Sequence, residues 1–237
     1  MKSLLVLPLL AVAACAARPA LPTSGPYAIK LESFSGENQA KLKTVFDAPT
    51  AMVELPETRV VSRPEIFAFL LGDLPFTAGV LRAQGRAAYK MWREEGDPPD
   101  EVRFDDTTGI RQIVQLMRRE SGRWVFFSKG TYDLGLFTVY GRSAFIVLVE
   151  ERGGALWTQA RVYAKVEGVV LEQGARFLGL VEGVLRRKSF AFIEAASKVA
   201  EAAAAEPGRL YRDVKGSAEV DPAALEEFRR RFVPDSE

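Results

Sequence analysis

The chain has 237 residues, 48% of them hydrophobic and 27% charged, which fits one globular domain with at most a short appendage. Lysine and arginine total 32 against 31 acidic residues, so no basic excess marks a nucleic-acid binder. Histidine is absent and cysteine occurs once. That removes the commonest general base, the commonest zinc ligand, any internal disulfide and any cysteine-cluster metal site, so neither a metal nor a cofactor is expected.

Met1-Lys2-Ser3 carries one positive charge ahead of an apolar run, Leu4 to Ala14, interrupted only by Pro8. A helix that crosses a bilayer needs roughly 20 residues. This run is shorter and fits the core of a secretory signal. Val12-Ala13-Ala14-Cys15 follows and resembles the lipobox of bacterial lipoproteins. In a lipobox, small residues let a peptidase grip the extended backbone, and the thiol takes up a diacylglyceryl group. The resemblance implies a signal peptide over residues 1–14 and a lipidated tether over residues 15–30, with membrane attachment through Cys15. Ala16 in place of Asp favours the outer membrane, with the domain facing the periplasm. Two other readings remain open. Ala11-Val12-Ala13 is also an ordinary A-x-A cleavage site, which leaves a secreted protein with a free thiol. A buried N-terminal helix is the third. Residues 17–26, ARPALPTSGP, read as an extended spacer.

Residues 27–62 read as strand-rich and irregular. YAIKLESF alternates weakly, and Pro56 splits MVELPETRVVS. Ser62-Arg63-Pro64-Glu65 opens a helix with Ser62 as N-cap and proline in the first turn. Gly72-Asp73 and Pro75 divide the apolar stretch that follows into two short helices. From residue 87 the pattern is strands bounded by turn signals: AAYKMWREE, EVRF, IRQIVQLMRR, WVFFSKGTYD, RSAFIVLVEE and LWTQARVYAKVEG. Short turns between them predict an antiparallel meander. In the last strand Ala160, Val162, Ala164 and Val166 alternate with polar residues, predicting a sheet with one wet side. AFIVLV is apolar on both faces and predicts an interior strand.

After Gly168 a helical stretch runs over residues 171–206 and stops at Pro207-Gly208. Glu172–Arg176, Glu182–Arg186 and Glu194–Lys198 are favourable i, i+4 pairs. Gly174, Gly179 and Gly183 are read as close packing against the sheet, with a flexible groove-facing helix as the alternative. Residues 208–220 look like a linker, and DPAALEEFRRRF like a short amphipathic helix capped by Asp221. Arg229 to Arg231 read as a solvated helix end, with contact to anionic lipid as the alternative.

VVSRPEIFAFLLGDLPF, the meander of residues 87–167 and the long terminal helix come in an order that resembles the helix-grip fold of START-like lipid-transfer domains. The resemblance implies an α+β class, with a curved antiparallel sheet of about six or seven strands wrapped on a long C-terminal helix. It places the domain at residues 31–207 and leaves residues 208–237 as a linker and short helix. It also implies an apolar ligand, lipid or similar, in the gap between helix and sheet. The lipoprotein-localisation proteins of the bacterial envelope offer a second resemblance, with a comparable cavity for acyl chains.

Aromatic and aliphatic side chains on these elements are the candidate cavity lining: Phe67, Leu71, Trp92, Trp124, Phe126, Trp157, Tyr163, Phe177, Leu178 and Leu185. No catalytic motif appears. Asp105-Asp106-Thr107-Thr108-Gly109 holds a pair of adjacent carboxylates, but its composition suits a turn. SKGTYDLGLF offers Lys129, Tyr132 and Asp133 to a pocket, although alternation with buried Gly130, Thr131 and Leu134 is the plainer reading. The expectation is therefore a non-enzymatic, membrane-anchored binder of an apolar ligand. The alternative is an envelope scaffold lipoprotein whose protein partners the sequence does not name.

Overall fold

The computed structural model describes residues 24–133, 138–167 and 175–234; of residues 175–178 and 180 it describes the backbone alone. Cys15, the apolar run before it and most of the spacer lie outside the described residues.

Seven strands form one antiparallel sheet: β1 (Ala51–Val60), β2 (Lys90–Trp92), β3 (Glu101–Asp105), β4 (Ile110–Glu120), β5 (Arg123–Asp133), β6 (Thr138–Arg152) and β7 (Ala155–Glu167). Their spatial order is β1-β7-β6-β5-β4-β3-β2. The meander β2 to β7 runs neighbour to neighbour, and the first strand returns to pair with the last. Pro56 sits in β1, an edge strand, where a missing N–H is tolerated. The register slips beside it, between Leu55 and Thr58.

Two short helices, α2 (Pro64–Gly72) and α3 (Leu74–Ala83), follow β1. Pro64 begins α2 after Arg63, one residue later than a Ser62 cap would place it. The Ser62 hydroxyl instead donates to the Ala200 carbonyl, 3.0 Å away. Asp73 caps α3 by accepting from the Phe76 amide. Among the described residues no single helix is long and apolar enough to cross a membrane; α2 and α3 are apolar but meet at 97°. Both bury their apolar side chains in the core.

The long helix α4 (Ala175–Ala205) lies across the concave face of the sheet. Val181, Leu185, Ile193, Val199, Ala200 and Ala203 face inward with α2, α3 and the inner side chains of β1, β6 and β7. The arrangement is a helix grip. Glu194 and Lys198 pair at 2.9 Å as expected. Arg186 donates to the Glu54 carbonyl on β1.

Four expectations change. Residues 36–46, read as irregular or extended, form a helix, α1 (Gly36–Phe46), capped by Ser35. The sheet does not have a wet outer side throughout. Tyr27, Ile29, Phe34, Leu42, Val45 and Phe46 cover part of it and form a second core with Val125, Phe127, Ile146 and Tyr163. Residues 208–220 are not an open linker, since they hold most of α5 (Pro207–Val214); the short helix capped by Asp221 is present as α6 (Pro222–Phe232), and Leu210, Val214, Val220, Leu225 and Phe228 belong to the main core. Finally, Gly179 and Gly183 do not pack closely, because a Cβ on either would meet nothing within 4 Å. The arginines at the end of α6 pair along their own helix, Arg229 with Glu226 and Arg230 and Arg231 with Glu227.

Candidate functional site

Between the concave face and α4 the core is incomplete. A cavity of about 140 Å³ lies there. Phe126, Tyr132, Phe145 and Val162 form its floor, Phe104, Val114 and Ile110 one flank, and Leu71 and Leu74 another; Val184, Leu185 and Phe192 of α4 form its roof. Strand alternation produces this floor. Phe126, Ser128 and Tyr132 are separated by even steps and face the helix, while Val125 and Phe127 face the outer core.

Two serines break the apolar floor. Ser128 and Ser143 are paired in register across β5 and β6, and their hydroxyl oxygens are 2.7 Å apart. Tyr132, on the same face of β5, brings its phenol up beside both serine hydroxyls. Burial pushes that phenol up to about 12, and the serine hydroxyls pull the other way, so the group stays protonated at neutral pH. Its ring has room because Gly141 lies beneath it; a Cβ there would come to 3.0 Å from the ring. Gly130, the register partner of Gly141, is more tightly constrained, since a Cβ would fall 2.0 Å from the Arg111 carbonyl oxygen, where only glycine fits.

At the rim, Lys188 of α4 reaches the turn between β3 and β4. Its ammonium lies 2.8 Å from Asp106 and donates to the Thr108 hydroxyl at 3.0 Å. The Asp106 side chain is only 4% exposed. Burial acts to raise its pKa. Hydrogen bonds from Lys188, the Thr108 hydroxyl and the amides of Ile110 and Thr108 outweigh burial and hold it at about 2. Asp105 points away, pairing with Arg111 at 3.2 Å and lining a groove on the outer face. The two neighbouring carboxylates therefore face different sides of the sheet, and Asp106 fastens the turn to the helix.

Of the ten side chains expected to line a cavity, Leu71, Phe126 and Leu185 do. Phe67 and Trp124 are buried in the same core without reaching the cavity wall. Tyr163 is a correction: it lies on the outer face, fully buried against Phe46 at 5.0 Å between ring centroids. Trp157 is also on the outer face, beneath the Arg152 guanidinium. Trp92, on the edge strand β2, lines the outer groove and is 37% exposed. The side chains of Phe177 and Leu178 lie outside the described residues. Sequence reading passed over Ser128, Ser143, Phe145, Val162, Lys188 and Phe192.

The outer groove is larger, about 500 Å³. Arg103, Arg111, Lys129 and Arg142 line it beside Asp105 and Glu167. An apolar ligand gains little by entering so charged a surface. The inner cavity is the better site for one. A cavity of ~150 Å³ lined by aliphatic and aromatic groups can stay dry and bind benzene. The space here suits a ring-sized group or a short chain, and it is too small for a full-length acyl chain.

The chain is similar to several solved structures. A START superfamily protein from Mycobacterium smegmatis is 15% identical over 64% of this chain and 97% of its own, with a TM-score of 0.38. Ara h 8.0201 is 11% identical over 64% of this chain and 97% of its own, with a TM-score of 0.45. A conserved protein from Geobacillus kaustophilus is 14% identical over 64% of this chain and 93% of its own, with a TM-score of 0.43. No protein-family profile and no curated protein matches the chain. The helix-grip assignment rests on the strand order and the placement of α4.

Proposed function

We propose that this protein is a bacterial envelope lipoprotein, anchored through Cys15, whose helix-grip domain binds a small apolar molecule between α4 and the sheet. The observation that carries the binding role is the cavity of about 140 Å³ with its apolar walls and one cluster of hydroxyls. A few placed polar groups in an apolar concavity are the usual make-up of a small-molecule site. The size favours a ring or the end of a lipid over a whole acyl chain. The role is carriage or sensing without catalysis. Its support is that Asp106 is occupied by four hydrogen-bonding groups and Asp105 by Arg111.

Thermal unfolding with toluene as the probe tests the binding role. Toluene that binds only the native state raises the Tm. Leu185→Trp, which fills the cavity, abolishes that rise. No rise in the unaltered chain contradicts the binding role. The anchor has its own test. Radiolabelled palmitate is incorporated into the full-length chain and the chain sediments with membranes; Cys15→Ser loses both. A variant that still labels and sediments contradicts anchorage at Cys15.

One observation favours a different role. Tyr140, 65% exposed, and Trp92, 37% exposed, stand at the outer groove among arginines, a composition common at protein interfaces. Under that reading the domain is an envelope scaffold, and toluene leaves its Tm unchanged.

A further inference from the structure

The hydroxyl cluster defines the ligand class more narrowly than the cavity volume does, provided that the cavity binds ligands as proposed above. Ser128 is 6% exposed and Ser143 is 8% exposed, and both sit on interior strands facing the main core. Neighbouring positions on that face, Phe126 and Phe145, are apolar. Buried hydroxyls in such a place must find hydrogen bonds, and these two find one in each other, with the Tyr132 phenol beside them.

A hydroxyl offers one hydrogen and accepts at its lone pairs. The Ser128–Ser143 bond uses one hydrogen and one lone pair, so lone pairs on both oxygens remain open to a donor from the cavity. The nearest cation on the wall, Lys188, is already held by Asp106 and Thr108. An anionic group would meet no uncommitted positive charge from these groups.

We infer that the cavity selects a neutral, ring-sized molecule carrying one O–H or N–H donor, seated so that the donor reaches the Ser128–Ser143–Tyr132 cluster. Phenol is the simplest such molecule. Toluene has nearly the same shape without the donor, and benzoate carries a charge instead.

Isothermal titration calorimetry of the full chain with phenol, toluene and benzoate separates the outcomes. Water solvates phenol far better than toluene, so a featureless apolar hole prefers toluene. The proposal expects phenol to bind at least as tightly as toluene, and benzoate more weakly than either. In Ser143→Ala, and independently in Tyr132→Phe, the phenol-to-toluene affinity ratio should fall roughly five- to tenfold, about the worth of one hydrogen bond. Toluene binding with phenol weaker overturns donor selection and leaves the binding role standing. Benzoate binding more tightly than phenol overturns the neutral class. Binding of none of the three overturns the binding role itself. The comparison of probes on the unaltered chain decides the matter even if a variant fails to fold.

Discussion

Asp106 shows how a single residue's role follows from its partners. A buried carboxylate is costly unless it is paired and hydrogen-bonded. This one receives an ammonium, a hydroxyl and two amides. Its folded-state pKa, about 2, is below the ordinary value of 3.8. A depressed acid of this kind contributes stability above its unfolded pKa, and that contribution is lost as the pH falls through the folded one. The shift corresponds to about 2 kcal/mol. Asp106→Asn should lower stability by about that amount at pH 7. Urea denaturation from pH 7 to pH 2 should show the gap from the unaltered protein close between about pH 5 and pH 2. A gap that stays constant across that range would mean the carboxylate's charge is not what fastens the turn. At this scale the sequence was legible only in part. Counting by twos from Phe126 reaches Ser128, Gly130 and Tyr132, so the floor of the cavity was available from alternation. What alternation cannot supply is the register that sets Ser143 opposite Ser128, because pairing partners are fixed by turns and packing across the whole sheet.

Elements come next, and α4 carries the clearest test. Gly179 and Gly183 lie in a helix where added methyl groups meet open space. Glycine in a helix interior costs roughly 0.5–1 kcal/mol relative to alanine. Gly183→Ala should therefore raise stability by about that amount, seen as a higher Tm; a fall would show that the glycine has a packing partner after all. Gly79 on α3 should behave in the opposite way. A Cβ there would lie 2.3 Å from the Glu219 carbonyl oxygen, on the segment between α5 and α6. Gly79→Ala must push that segment away, and chemical denaturation should report a loss of about 1–3 kcal/mol, as overpacking commonly gives. The meander and the long helix were readable because their periods are sustained and their turns well marked. Helix α1 was not. It buries only Leu42, Val45 and Phe46, a stripe too narrow to register as helical periodicity against its polar residues. For α5 the proline that ends α4 also begins the next helix, and a linker-like composition hides how much of it is buried.

On the scale of the whole molecule, the sheet divides the interior in two. The outer core, under α1 and the N-terminal segment, is filled by Tyr163 and Phe46 in edge-to-face contact. The inner core is built by α2 to α6 against the concave face and leaves the hollow beside Leu185. Aromatic residues in strands said that cores existed, but which face each occupied depended on register and on the cover that α1 provides. Trp157 and Tyr163 therefore fell on the face away from the cavity. The account stands or falls on whether the inner hollow takes up an apolar guest. Methyl chemical shifts of the labelled chain during a toluene titration measure this most directly. Saturable shifts centred on Leu71, Val114, Val162, Val184 and Leu185, with Val125 and Ile146 unmoved, are expected. Shifts that never appear up to the solubility of toluene, or that gather on the outer core, would contradict it.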